Sequence, residues 1–169
     1  MRRLAALFTA FLISVLSGCS SYQLGNPSEL PYRTVSVSAP KNSTELAQIE
    51  APLNAALRNE ILQSEALSLA DSGSADAELE LTILEVKRDI AGVMSDDVGR
   101  GRKFSLIVTV SLSLRDASQL DAYFIKGRQF EISQDVYNDS GLVNAEYQAT
   151  PELSDKIATR SIEIIQDLW

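Results

Sequence analysis

The sequence contains no histidine and only one cysteine among its 169 residues. The lack of histidine excludes Ser-His-Asp and Cys-His catalytic pairs and removes the commonest nitrogen ligand for metals. One cysteine cannot form an intramolecular disulfide or a thiolate metal cluster. The chain also has an excess of acid, with 15 basic and 23 acidic side chains and a formal net charge of -8, which argues against nonspecific binding to nucleic acid. Composition alone therefore predicts an acidic globular domain.

The N-terminus has the pattern of an export signal. Arg2 and Arg3 precede residues 4–16, a run of 13 residues without charge, which is shorter than the ~20 apolar residues of a transmembrane helix. The run ends in Leu16-Ser17-Gly18-Cys19, which resembles the bacterial lipobox. The resemblance implies cleavage before Cys19 and lipidation of its thiol. The alternatives are an ordinary secretory signal with a chance cysteine, or a buried core cysteine.

The organisation that follows has three parts: a lipoprotein signal peptide at 1–18, a lipidated tether at 19–31, and a single domain at 32–169. Ser20 stands where aspartate commonly retains lipoproteins at the inner membrane, so the pattern favours lipid anchoring at the periplasmic side of the outer membrane. Several acyl chains on one cysteine would anchor the protein stably.

Hydrophobic periodicity predicts an α+β fold with the order β-α-β-β-β-β-α. Even-numbered apolar residues from Phe104 to Leu114 alternate with mainly Ser and Thr, the pattern of a sheet covered on one face. A change of phase after Ile83 predicts a β-bulge, and Gly127 predicts another bend or bulge. Two helices should pack on one face of a four- to five-stranded, mostly antiparallel sheet. The predicted strands are 32–39, 67–70, 76–89, 103–115 and 122–134. The first predicted helix is 46–64, and Pro52 indicates that it begins near Gln48. The last predicted helix is capped by Thr150 and has Pro151 at its first position.

The residues give no credible active site, so we expect no catalysis, no cofactor and no metal. Gly99-Arg100-Gly101 lacks the rest of a dinucleotide fingerprint and is typical of a hairpin tip. Asp96 and Asp97 lie in the same predicted loop, where adjacent acids are usually solvated. Glu78 and Glu80 share one strand face, and a solvated outer sheet face explains them better than a catalytic acid pair.

Several short segments, in order, resemble one family. They are Cys19-Ser20-Ser21-Tyr22-Gln23-Leu24-Gly25, the strand at 35–39 with Lys41-Asn42-Ser43-Thr44, Gln48-Ile49-Glu50, Ala75-Asp76-Ala77-Glu78-Leu79, and the loop and strand at 99–116. The chain is similar to LptE-like lipopolysaccharide-assembly lipoproteins over nearly all of its predicted mature length. Pro52 and Pro151 depart from the family pattern, and leave the helix limits open.

The resemblance implies a function that composition does not. LptE-like proteins plug the lumen of an LptD β-barrel, help it assemble, and support delivery of lipopolysaccharide to the outer leaflet. Lipopolysaccharide phosphates need cations, so Arg100, Arg102 and Lys103 are the expected contacts, with Lys126 and Arg128 secondary; a solvated hairpin end is the alternative. The other reading of the whole chain is a lipid- or lipopolysaccharide-binding accessory lipoprotein of another envelope transport system.

Overall fold

The computed structural model describes residues 30–46, 48–89, 102–119, 121–138 and 141–167, with the side chains of residues 102 and 138 left out. Within these residues six strands and two helices follow the chain. They are β1 (Thr34–Val37), β2 (Lys41–Asn42), α1 (Glu50–Gln63), β3 (Ser68–Leu69), β4 (Ala77–Asp89), β5 (Arg102–Asp116), β6 (Tyr123–Asn138) and α2 (Leu142–Gln166).

The strands form one mixed sheet in the order β3-β1-β4-β5-β6, with β2 beside β4. The short strands β1 and β2 run parallel to β4, and β3 runs parallel to β1. Among the long strands, β5 is antiparallel to both β4 and β6. The predicted α+β class with a mostly antiparallel sheet is confirmed.

The additional strand is β2, which lies between the predicted first strand at 32–39 and the predicted helix at 46–64. Its residues Lys41 and Asn42 pair with Thr82 and Ile83 of β4. Asn42 holds the turn that follows, because its Oδ1 accepts from the Thr44 amide at 2.9 Å and its Nδ2 donates to the Leu46 carbonyl at 2.7 Å. Two residues are too few to show a period of two.

Two of the three register shifts between the described strands occur where the sequence predicted an irregularity, and the third lies between Leu114 and Arg115. In β4 the register with β5 shifts between Ile83 and Glu85, so Leu84 is the extra residue. In β6, Ile125 lies opposite Leu114 and Arg128 opposite Leu112, which leaves one residue too many around Gly127. Gly127 has a φ of 62°, a left-handed conformation that glycine adopts without strain.

The first helix begins two residues later than predicted. Gln48 has a φ of 61°, which no α-helical residue adopts, and α1 starts at Glu50. Pro52 therefore lies in the first turn, where its missing N–H leaves no helical hydrogen bond unmade. The helix buries Leu53, Leu57 and Ile61 on one face.

The predicted start of the last helix is wrong. Thr150 and Pro151 do not begin α2 but lie inside it, because α2 starts at Leu142. Proline removes one N–H from the helix interior, while the Thr150 hydroxyl donates to the Glu146 carbonyl at 3.0 Å nearby. Burial of Ala145 and Glu146 against the sheet stabilises the added turns, so tertiary packing overrides the local proline signal.

The last strand is also longer than predicted, ending at Asn138 instead of residue 134. Its added residues stay paired, since Val136 lies opposite Phe104 and Tyr137 opposite Lys103. Phe104 and Val136 belong to a small second core with Leu106 and Ala145, separate from the main core under α1 and α2.

The fold has two distinct ends. We call the base the end where β1, β4 and β6 begin and β5 finishes, and the tip the end where β4 and β6 finish and β5 begins. The chain enters the described structure at the base, where the Tyr32 hydroxyl donates to the Ile165 carbonyl at 2.5 Å, and burial raises the pKa of Tyr32. No helix in the described ranges combines the length and apolarity that crossing a membrane requires.

Candidate interaction surface

The face of the sheet opposite the helices is the largest candidate surface, and we call it the outer face. On β5 the even-numbered residues from Phe104 to Leu114 are buried under the helices, whereas the odd-numbered ones are only half-buried. The cross-strand register extends this alternation to both neighbouring strands. Outer-face residues include Glu78, Glu80 and Thr82 of β4, Ser105, Ile107, Thr109, Ser111, Ser113 and Arg115 of β5, and Gln129, Glu131, Ser133, Asp135 and Tyr137 of β6.

Near the base, Glu78 and Glu80 of the outer face form ion pairs, whereas the sequence predicted that both acids are solvated. Arg115 forms ion pairs with Glu78, through Nη2, and with Glu80, whose Oε1 lies 3.7 Å from Nε. Ser38 also donates to Glu78. The side chain of Glu78 is 19% exposed, so its carboxylate is largely removed from water and held by these partners.

Near the tip, Lys103 is the only one of the three predicted lipopolysaccharide contacts whose side chain is described. Its Nζ lies 2.8 Å from Oδ2 of Asp135, and the hydrogen bond between them raises the pKa of Lys103 and lowers that of Asp135. Ser105 donates to the other oxygen of Asp135 at 2.7 Å. The Lys103 ammonium also stands 5.9 Å from the centre of the Tyr137 ring. Asp135 therefore already balances this cation.

The other predicted contacts are dispersed or lie outside the description. Arg102 begins β5 beside Lys103, and Arg100 lies outside the described residues, as do Cys19, Asp96, Asp97 and Gly99. Lys126 and Arg128 occupy the bulge of β6 toward the base, where the Lys126 ammonium is 5.0 Å from the centre of the Tyr123 ring. Arg128 pairs with Leu112, nine residues along β5 from Lys103, or roughly 30 Å. The sheet does not bring the two groups together.

An exposed apolar group at the tip was missed by the sequence reading. Tyr137 is 60% exposed at the end of β6, and Val143 and Tyr147 are 74% and 61% exposed on α2. Val143 and Tyr147 are four residues apart and so share a helix face. The signal that could have identified them is the i, i+4 spacing of Val143 and Tyr147, which lies before the predicted helix start at Thr150.

The described residues contain no group of three or more Asp, Glu, His or Cys side chains placed to hold a metal ion. The outer face offers paired charges and hydroxyl groups spread over three strands, an arrangement suited to contact with another polar surface.

Comparison with known proteins decides the family. A family model described as LptE, lipopolysaccharide-assembly, matches residues 32–161. The chain belongs to the LptE family. No match was found among curated protein sequences.

Solved structures share the fold at low sequence identity. A crystal structure of protein XCC0632 from Xanthomonas campestris has 12% identity and a TM-score of 0.58, covering 85% of this chain and 90% of that one. The solution structure of lipoprotein B from Nitrosomonas europaea has 16% identity and a TM-score of 0.51, covering 88% and 90%. At these identities the likenesses support the fold alone.

Proposed function

We propose that this LptE-family chain is a lipid-anchored, non-catalytic lipoprotein of the outer membrane that plugs an LptD-like β-barrel and helps it assemble. The family match over residues 32–161 carries the proposal, because it assigns the chain to lipopolysaccharide assembly. The barrel, through which lipopolysaccharide would reach the outer leaflet, is the implied partner.

The outer face supports the plug role physically. The interior wall of a large membrane barrel is polar and wet, so a plug needs hydrogen-bonding groups on the surface that meets it. Ser111, Thr109 and Gln129 lie in register across β5 and β6 and present such groups. The ion pairs of Arg115 at the base and Lys103 at the tip satisfy part of the charge on this face.

The anchor would act by proximity. A signal peptide at 1–18 and lipid on Cys19 would leave residues 19–31 as a tether, with Ser20 directing the protein to the outer membrane. Tethering both partners to one membrane raises their effective concentration without any new contact.

Direct contact with lipopolysaccharide is assigned to Arg100, Arg102 and Lys103. Beside Lys103 the tip carries exposed apolar side chains, those of Tyr137, Val143 and Tyr147. These side chains suit an amphipathic glycolipid, and the same observation favours the second candidate function, a lipid-binding accessory lipoprotein of another envelope transporter.

Co-purification tests the plug role. A tagged, lipidated form should bring down an LptD-like barrel, and Cys19→Ala should reduce the yield of the complex without abolishing the contact. If the lipidated form never brings down such a barrel, the plug role is refuted. Lipopolysaccharide binding that persists without the barrel and is lost in Arg100→Glu would favour the accessory function.

Site-specific photo-crosslinking tests the contact surface. A crosslinker at Gln129, exposed on the outer face, should join the chain to the barrel. The matched control is Asn59, which is exposed on α1 in the helical layer. Crosslinking at Asn59 but not at Gln129 would remove the outer face from the contact while leaving co-purification intact.

The ion pair between Lys103 and Asp135 provides a test of lipopolysaccharide contact at Lys103. If lipopolysaccharide phosphate competes with Asp135 for Lys103, Asp135→Asn should strengthen lipopolysaccharide binding a few-fold, consistent with the small energies of exposed ion pairs. Titration of the purified protein with lipopolysaccharide measures this, with Asp121→Asn in the loop near the base as the control. Unchanged or weaker binding would exclude Lys103 as a contact.

A further inference from the structure

The strand β6 forms a free edge of the sheet. It is last in the strand order and, within the described residues, pairs only with β5. An edge strand presents unpaired backbone N–H and C=O groups, to which another extended chain can add. The opposite edge is β3, which has two residues, whereas β6 continues past its bulge at Gly127 to Asn138. The length of β6 beyond its bulge is sufficient to support an added strand of ordinary length.

A groove of about 420 Å³ lies beside this edge, between β6 and α2. Ile132 lines it and is half-buried, as is the neighbouring inward-facing Phe130. Farther along β6, Gln134 and Val136 are fully buried. The sheet is therefore incompletely covered at Phe130 and Ile132, and side chains of an added strand would complete the cover.

The charges around the groove indicate which kind of strand would bind beside β6. Four carboxylates and two cations line it: Glu131, Glu152, Asp155, Glu163, Lys156 and Arg160. Both cations are already engaged, since Lys156 Nζ lies 3.2 Å from Glu152 and 2.7 Å from Gln134, and Arg160 lies 2.8 Å from Glu163. Glu131 and Asp155 are exposed and have no ion pair among the described residues. The groove thus has unbalanced negative charge on both faces of the edge.

A second copy of the chain fits this edge poorly. Pairing β6 with itself would place the acids of one copy against those of the other, in a chain whose formal charge is already -8. Like charges placed opposite each other across strands are destabilising. A basic extended segment would instead place its cations opposite these acids.

We propose that β6, between its bulge and Asn138, accepts an extended basic segment of a partner protein as an added strand, with Glu131 and Asp155 pairing its cations. Backbone hydrogen bonds to the edge supply affinity, and the acidic groove supplies the preference for lysine or arginine. The inference does not depend on the plug role, because the edge and its groove are defined by β6 and α2, and Glu131 is the one outer-face residue that it uses.

Peptide binding to the full-length chain in detergent tests the proposal. The probe is a fluorescein-labelled nine-residue peptide that alternates lysine and valine, and anisotropy measures its Kd. A fully N-methylated version keeps every charge but has no backbone donors, and should bind about tenfold more weakly or worse. A peptide with glutamate in place of lysine should weaken similarly.

Charge reversal identifies the site. The double substitution Glu131→Lys and Asp155→Lys should weaken the basic peptide about tenfold and strengthen the acidic one. The double substitution Glu65→Lys and Asp71→Lys, at exposed positions outside the groove, makes the same change in net charge and should have little effect.

Two results would overturn the inference. Equal binding of the N-methylated and parent peptides would reduce the contact to charge attraction alone. No saturable binding of the parent peptide would mean that the bulge and charges of β6 guard the edge against pairing. The peptide comparison uses the unmodified protein, so neither conclusion depends on the folding of a variant.

Discussion

The ion pair between Arg88 and Glu146 should control the attachment of the first turns of α2. Arg88 lies near the end of β4, and its guanidinium contacts Glu146 through Nε and through Nη2, the latter 3.1 Å from Oε2. The side chains are 33% and 10% exposed, so the carboxylate is the more buried partner. The hydrogen bond to Glu146 raises the pKa of Arg88.

Removing the arginine alone should be costly. Arg88→Met leaves a nearly buried carboxylate without its counter-ion, and breaking a fully buried pair costs about 3–5 kcal/mol. Water reaches the half-exposed Arg88 position, so we expect about 2 kcal/mol here and a fall in Tm of about 4–8 °C. Replacing both, with Arg88→Met and Glu146→Leu, should cost less than about 1 kcal/mol, because no charge remains to be desolvated.

Urea unfolding followed by circular dichroism gives the free energies, and the double-mutant cycle gives the coupling. Hydrogen exchange should show faster exchange in Arg88→Met for the amides of the first turns of α2, around Ala145 and Glu146, before global unfolding. The reasoning fails if Arg88→Met costs less than about 0.5 kcal/mol, or if the two single changes are additive.

Three further outcomes follow from local features. Leu112→Ala should cost about 2–5 kcal/mol in urea unfolding, since Leu112 is fully buried in the main core; a change under 1 kcal/mol would contradict that burial. Gly127→Ala should cost about 1–2 kcal/mol because of its φ of 62°, whereas Gly73→Ala, which meets no neighbour either, should be nearly neutral. Hydrogen bonds from the Thr34 backbone and its neighbour lower the pKa of Asp76. The unfolded state then binds more protons than the folded state. The contribution of Asp76 to the free energy of unfolding is therefore present above its unfolded pKa near 3.9, and is lost as pH falls through its pKa in the folded protein. Asp76→Asn should accordingly make Tm fall less steeply at acidic pH.

The sequence predicted the parts of the fold that repeat regularly along the chain. The alternation from Phe104 to Leu114 identified β5 and its buried face, and the phase change after Ile83 located the bulge of β4. It failed where long-range packing overrides a local signal. Pro151 marks a helix start by local rules, yet burial of Ala145 and Glu146 extends α2 past it. For the interaction surface, the sequence predicted which face of the sheet is exposed but not the ion pairs on it. The ion-pair partners of Glu78 and Lys103 come from other strands, which a local pattern does not identify.

The separation of base and tip has a consequence for depth in a membrane. From Ala77 to Asp89, β4 alone extends about 40 Å, close to the thickness of a bilayer with its headgroups. The segment from Cys19 to Leu30 spans at most about 40 Å when fully extended. Under the proposed function, lipid on Cys19 would lie in the inner leaflet. If the base were held near it, the tip carrying Lys103 and Tyr137 would stand at the level of the outer leaflet. Shortening the tether would then change how deeply the tip can reach, without altering the domain itself.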